Sequence, residues 1–151
     1  MAFWDQLKSK IADLQSTTKT EVAKHKSKDF AKASMAMCAL IAAADGTITA
    51  DERRKTANFI ASNDALSVFD TGELQGHFEF YSSKLEKDFE FGKVEAIATI
   101  GKLKSKPDAA RAVIQVGIII GGADGNFDPD EKQAVREACH AVGIAPAEFD
   151  L

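Results

Sequence analysis

Two stretches of this chain gather oxygen ligands at short, matching intervals. Ala44-Asp45-Gly46-Thr47-Ile48-Thr49-Ala50-Asp51-Glu52-Arg53 returns 79 residues later as Ala123-Asp124-Gly125-Asn126-Phe127-Asp128-Pro129-Asp130-Glu131-Lys132. Carboxylates with hydroxyl or amide oxygens, and no Cys or His among them, suit hard cations: Ca²⁺ or Mg²⁺ first, with Mn²⁺ admissible. Helix punctuation accounts for part of the pattern. Gly46 and Gly125 fit left-handed positions after a helix. Thr49 with Glu52, and Asp128 with Glu131, have capping-box spacing, and Pro129 suits a first helical position. Asp45 and Asp124 fit that account poorly, because each is expected at a helix C-terminus, where a negative charge meets the negative end of the dipole. Folding back from such a corner brings each aspartate towards the first-turn acids of the next helix. In the second copy Asp124, Asn126, Asp128, Asp130 and Glu131 crowd eight residues. Two readings stand, a divalent-cation site and capped helices with a solvated acidic surface. An EF-hand is excluded, since Pro129 stands where its loop requires glycine and Val135 where it requires the bidentate Glu.

These corners need helices to hold them. Apolar residues recur at helical spacing almost throughout, from Phe3, Leu7, Ile11 and Leu14 onward, and no stretch alternates like a strand. The spacing predicts helices over about 3–27, 29–45, 50–63, 71–87, 89–105, 108–123 and 129–142, with a last turn at 146–150. The expected fold class is all-α, a single compact bundle of about seven helices. One domain spans 1–151, with a basic amphipathic N-terminal helix over 1–28 and two quasi-repeated helical hairpins over 29–63 and 108–142. The helices preceding the two corners are rich in small apolar residues and so are candidates for the buried centre. Phe78, Phe80, Tyr81, Phe89 and Phe91 are expected in the core or joining helices, with an aromatic surface groove for a partner as the alternative.

Charge narrows the partners. The 151 residues carry 19 Lys and Arg against 23 Asp and Glu, net −4, which argues against a nucleic-acid footprint. Residues 1–32 are net +3 and the remainder net −7. The N-terminal stripe of Phe3, Trp4, Leu7, Ile11 and Leu14, flanked by lysines, suits either packing on the chain's own bundle or peripheral contact with an anionic membrane. No signal-peptide core interrupts the start and no apolar run spans a bilayer, so a cytoplasmic protein is expected, with peripheral contact at the inner membrane as the alternative. Cys38 and Cys139 are lone and sit in apolar patterns, as reduced core thiols do. His25, His77 and His140 form no triad or zinc spacing, and Gly117, Gly121, Gly122 and Gly125 do not make a nucleotide fingerprint.

Taken together, the Phe3-Trp4 start, Lys28-Asp29-Phe30, both Asp-Gly motifs, Val68-Phe69-Asp70-Thr71 and the Pro146-Ala147-Glu148-Phe149 tail resemble the TerB family of tellurite-resistance proteins. The resemblance implies an all-helical domain without enzymatic activity, whose paired acidic motifs chelate metal. Carried onto this chain, it implicates Asp45, Asp51 and Glu52 in the first motif and Asp124, Asp128, Asp130 and Glu131 in the second. Thr49 stands where the second copy has Asp128 and departs from a fully acidic pattern. As partners the resemblance implies an integral-membrane TerC-like protein and TerD-like proteins. Tellurite is an oxyanion, so a bare carboxylate cluster repels it and direct capture there is disfavoured. The expected function is a metal-binding adaptor or sensor in a membrane-associated stress complex, and the alternative is a metal-free interaction module with an acidic docking face.

Overall fold

The structure is a computed structural model that describes residues 27–123 and 127–151, together with residues 20, 23 and 25. Six α-helices occur among the described residues: α1 Lys28–Ala42, α2 Ala50–Ser62, α3 Thr71–Lys87, α4 Phe89–Gly101, α5 Pro107–Gly121 and α6 Pro129–Val142. Two 3₁₀ turns, Asp64–Leu66 and Pro146–Phe149, complete the order. The fold is all-α, as expected. The helix expected over 3–27 lies outside the described residues, which leaves six of the seven observed.

The centre of the bundle follows from composition. α1 and α5 are apolar on nearly every side, and such a helix gains only if it is covered all round. Residues Phe30, Ala31 and Ala33–Ala42 of α1 are buried, as are most of α5 from Ala109 to Gly121. The two helices lie side by side. A Cβ on Gly117 would fall 2.6 Å from Met37 Cγ, and one on Gly121 would fall 3.4 Å from Ile41 Cγ2. Because both contacts advance four residues in the same sense along each helix, α1 and α5 run parallel and finish at the same end of the molecule.

The remaining helices cover this pair. Asp70 caps α3, and Asp88 both ends α3 and caps α4, its carboxylate accepting from Phe91 N–H at 3.2 Å. The resulting hairpin closes tightly, since Gly92 brings its Cα against the Leu85 backbone, and the Tyr81 hydroxyl meets the Thr99 hydroxyl at 2.9 Å. Both α3 and α4 pack across α1, while α2 and α6 fold back from the two corners onto the same core. Arg111 and Glu148, at 2.9 Å, pin the C-terminal turn whose Phe149 is buried.

Three helices stop earlier than the periodicity predicts. α1 ends at Ala42 rather than 45 and α5 at Gly121 rather than 123. α4 ends at Gly101 rather than 105, and the following residues form tight turns, with Leu103 N–H donating to Ile100 at 3.1 Å and Lys106 N–H to Leu103 at 2.8 Å. Pro107 disfavours a helical Lys106, so the chain cannot run straight into α5. The aromatic expectation holds for Phe78 and Tyr81 and fails for Phe80 and Phe91, which are 53% and 60% exposed.

Candidate functional site

The first corner is described in full. After α1 ends, Ala44 N–H donates to Ile41 and Gly46 N–H to Ala43, and Gly46 takes φ +94°, a conformation that costs a non-glycine residue. Asp45 therefore lies three residues beyond the helix, not in its last turn. Its Oδ1 accepts both the Thr47 N–H and the Thr47 hydroxyl, each at 3.1 Å. That local turn satisfies the carboxylate and removes much of the dipole penalty inferred from sequence. Glu52 and Thr49 form the predicted capping box, with reciprocal bonds of 3.1 Å. Asp51 is highly exposed and pairs with Arg54 at 2.7 Å. The corner thus gives each of its three acids a separate local partner.

The second corner repeats the capping box more tightly. Asp128 Oδ1 accepts from Glu131 N–H at 2.8 Å, and Glu131 Oε1 accepts from Asp128 N–H at 2.9 Å. Both side chains are half-buried, whereas Thr49 in the first copy is exposed. Phe127 turns inward onto α5, where a Cβ on Gly121 would fall 2.8 Å from its ring, and Ile48 packs against the core in the first copy. Asp124, Gly125 and Asn126 lie outside the described residues. The capping box uses one oxygen of Asp128, and a carboxylate oxygen is the kind of donor that a hard cation takes.

Among the described residues no three His, Cys, Asp or Glu side chains converge as a metal-ligand group. Asp45, Asp51 and Glu52 are therefore not brought together. The helices that lead to the corners are: parallel α1 and α5 finish at one end, and Ala44 of the first motif and Asp130 of the second line the same small cavity, with Gln133 and the Lys93–Glu137 pair on its wall. Sequence could show that the motifs repeat, but not that they are neighbours.

Ion pairs fix the helices that leave the corners. Arg53 of α2 donates from Nε to Glu79 at 2.8 Å, from Nη1 to Glu86 at 2.7 Å and from Nη2 to the Ser83 hydroxyl at 2.8 Å, all on α3. The bond to Glu79 leads the effects that raise the Arg53 pKa above its ordinary value. On the other side, Lys93 of α4 meets Glu137 of α6 at 2.7 Å. Each corner helix is thus tied to one arm of the α3–α4 hairpin, an arrangement that sequence reasoning missed because the partners are far apart along the chain.

Residues 31–151 match the family described as tellurite resistance protein TerB. The chain belongs to the TerB family. A tellurium resistance protein TerB from Alcaligenes sp is 33% identical over 118 residues, covering 78% of this chain and 97% of that relative. No solved structure matches. The matched region begins inside α1 and takes in both corners, so the acidic repeat belongs to the shared part of the chain.

Proposed function

We propose that this TerB-family tellurite-resistance protein acts without catalysis, as an adaptor whose two acidic corners jointly respond to a divalent cation. The observation that carries the reading is the parallel course of α1 and α5, which finish at one end of the bundle, where Ala44 beside the first motif and Asp130 of the second line one cavity. Negative charges held close together repel, and a cation shared between them relieves that repulsion. Ca²⁺ or Mg²⁺ fits the oxygen-only donors, with Asp124, Asp128, Asp130 and Glu131 as the principal ligands and Asp45, Asp51 and Glu52 as the weaker half. Neutralising this end would set the angles at which α2 and α6 leave their corners, and through Arg53 and Lys93 the seating of the α3–α4 hairpin. TerC-like and TerD-like proteins are the partners of this adaptor, and association with the inner membrane comes through the former.

Burial supports the non-enzymatic part. Both cysteines are buried and free, and burial raises the thiol pKa of each, leaving little thiolate to reduce tellurite. Among the described residues no helix is long and apolar enough to cross a membrane.

Calorimetric titration of chelator-stripped protein with Ca²⁺, Mg²⁺, Mn²⁺ and Zn²⁺ tests the proposal. Saturable binding is expected, with Asp124→Asn and Asp128→Asn weakening it by more than Asp45→Asn. No binding at millimolar cation would overturn the metal reading. A second reading would then hold, a metal-free module whose acidic end docks on a basic partner, which the local partners of Asp45, Asp51 and Glu52 favour.

A further inference from the structure

The outer face of α3 is built about a midpoint. Phe80 stands there, 53% exposed, with the Tyr81 ring edge-on at 5.0 Å between centroids and Lys84 Nζ 5.0 Å from its centre. An aromatic ring so held and yet uncovered suits an interface anchor. Glu73 and Lys87 lie seven residues before and after Phe80, two helical turns each way, so all three share one side of α3. Gly76 and Ser83 between them are small and exposed, and nothing stands within 4 Å of where a Cβ on Gly76 would be. Most other charges of α3 near this face are matched within the chain, Glu79 and Glu86 by Arg53 and Lys84 by Glu95 at 3.1 Å. Lys87 has no partner among the described residues, and the Glu73 carboxylate has only the His77 ring, 3.6 Å away.

We propose that this face docks a second copy of the chain, the two α3 helices packing antiparallel about a two-fold axis at Phe80. With an acid two turns to one side of the axis and a lysine two turns to the other, the face is its own complement. Antiparallel pairing sets Glu73 of each copy against the partner's Lys87, so the same opposite-charge pair forms twice, while the two Phe80 rings meet at the axis beside the open space at Gly76. Parallel pairing would set like charges together at both ends. The contact is about four turns long, ~21 Å, which is small for a protein interface, so the dimer is weak and forms and dissociates with concentration. Exposed ion pairs contribute little affinity. They select the antiparallel orientation, and Phe80 supplies most of the attraction.

Sedimentation velocity of the full chain from about 5 µM to about 500 µM should show a monomer–dimer equilibrium with a micromolar Kd. Phe80→Glu, at an exposed position, should leave the circular dichroism unchanged and abolish the dimer. Glu73→Lys and Lys87→Glu, each alone, should weaken association about tenfold or more, because like charges then meet at both ends. Mixed in equal amounts, these two variants should form a heterodimer, since each end again joins opposite charges. At 1 M salt, where the Debye length is about 3 Å, the difference between the mixture and the single variants should disappear. A monomer throughout the concentration range would overturn the proposal, as would a dimer that survives Phe80→Glu. A mixture that associates no better than either variant alone would overturn the antiparallel pairing and the proposal with it.

Discussion

Gly92 and Gly76 stand on neighbouring helices and make opposite demands. A Cβ on Gly92 would fall 2.7 Å from Leu85 N, a backbone atom that cannot move without opening the α3–α4 hairpin. Gly92→Ala should therefore cost about 1–3 kcal/mol or more by overpacking. Gly76 lies within α3 with nothing within 4 Å of its Cβ position, so Gly76→Ala should stabilise by about 0.5–1 kcal/mol. Urea denaturation of both variants checks the contrast, and equal effects would mean that the close approach at Gly92 is absent in solution. The cysteines give a second prediction at this scale. Burial, with Glu148 adding to it, pushes the Cys139 thiol up from 9.0 to about 11. Because the raised group is neutral in the fold, its stabilising effect is complete below about pH 9 and is lost as pH rises towards 11. The unmodified protein should then lose more stability between pH 7.5 and pH 10.5 than Cys139→Ala does, measured by denaturant titration at both pH values.

The helices record how far local chemistry reaches. Thr49-x-x-Glu52 and Asp128-x-x-Glu131 announce their capping boxes in sequence, and both form. Removing either N-cap acceptor, by Thr49→Ala or Asp128→Ala, should cost about 0.5–2 kcal/mol. Asp128→Asn should cost far less, since Asn caps as well as Asp, and it then separates the cap from any role of the charge in cation binding. Thermal melts of the three variants decide this, and equal losses for Asn and Ala would refute the capping role. The end of α1 was less legible, because Ala43 and Ala44 are good helix formers and only the turn between Asp45 and Thr47 stops them. Phe91 is hard to place for a related reason: the polar residues of α4, Glu90, Lys93, Glu95 and Thr99, fall on the flanks between its buried and exposed apolar sides, so no polar face stands opposite an apolar one. The Arg53 clamp onto Glu79 and Glu86 carries no local signal at all, as its partners lie 26 and 33 residues away.

At the scale of the molecule, the repeat becomes geometry: equivalent helices run parallel and finish at one end. Ala44, the residue before Asp45, lines the same cavity as Asp130, with Lys93 on the same wall, although 85 residues separate the two aspartates in sequence. Unit charges about 10 Å apart interact by about 0.4 kcal/mol in water and more where protein excludes it. Such a term is visible in a double-mutant cycle, because distant and independent sites add within about 0.3–0.5 kcal/mol. Asp45→Asn keeps the acceptor that Thr47 uses, and Asp130→Asn leaves the capping box untouched, so each removes charge with little else. In metal-free protein at about 10 mM salt the combined effect of the two substitutions should be about 0.5 kcal/mol less stabilising than the sum of the single effects, since removing either charge already relieves the shared repulsion. At 1 M salt, where the Debye length shrinks to about 3 Å, that coupling should vanish. Additivity at both ionic strengths would show that the corners do not sense one another, and the joint response to a cation would lose its physical basis.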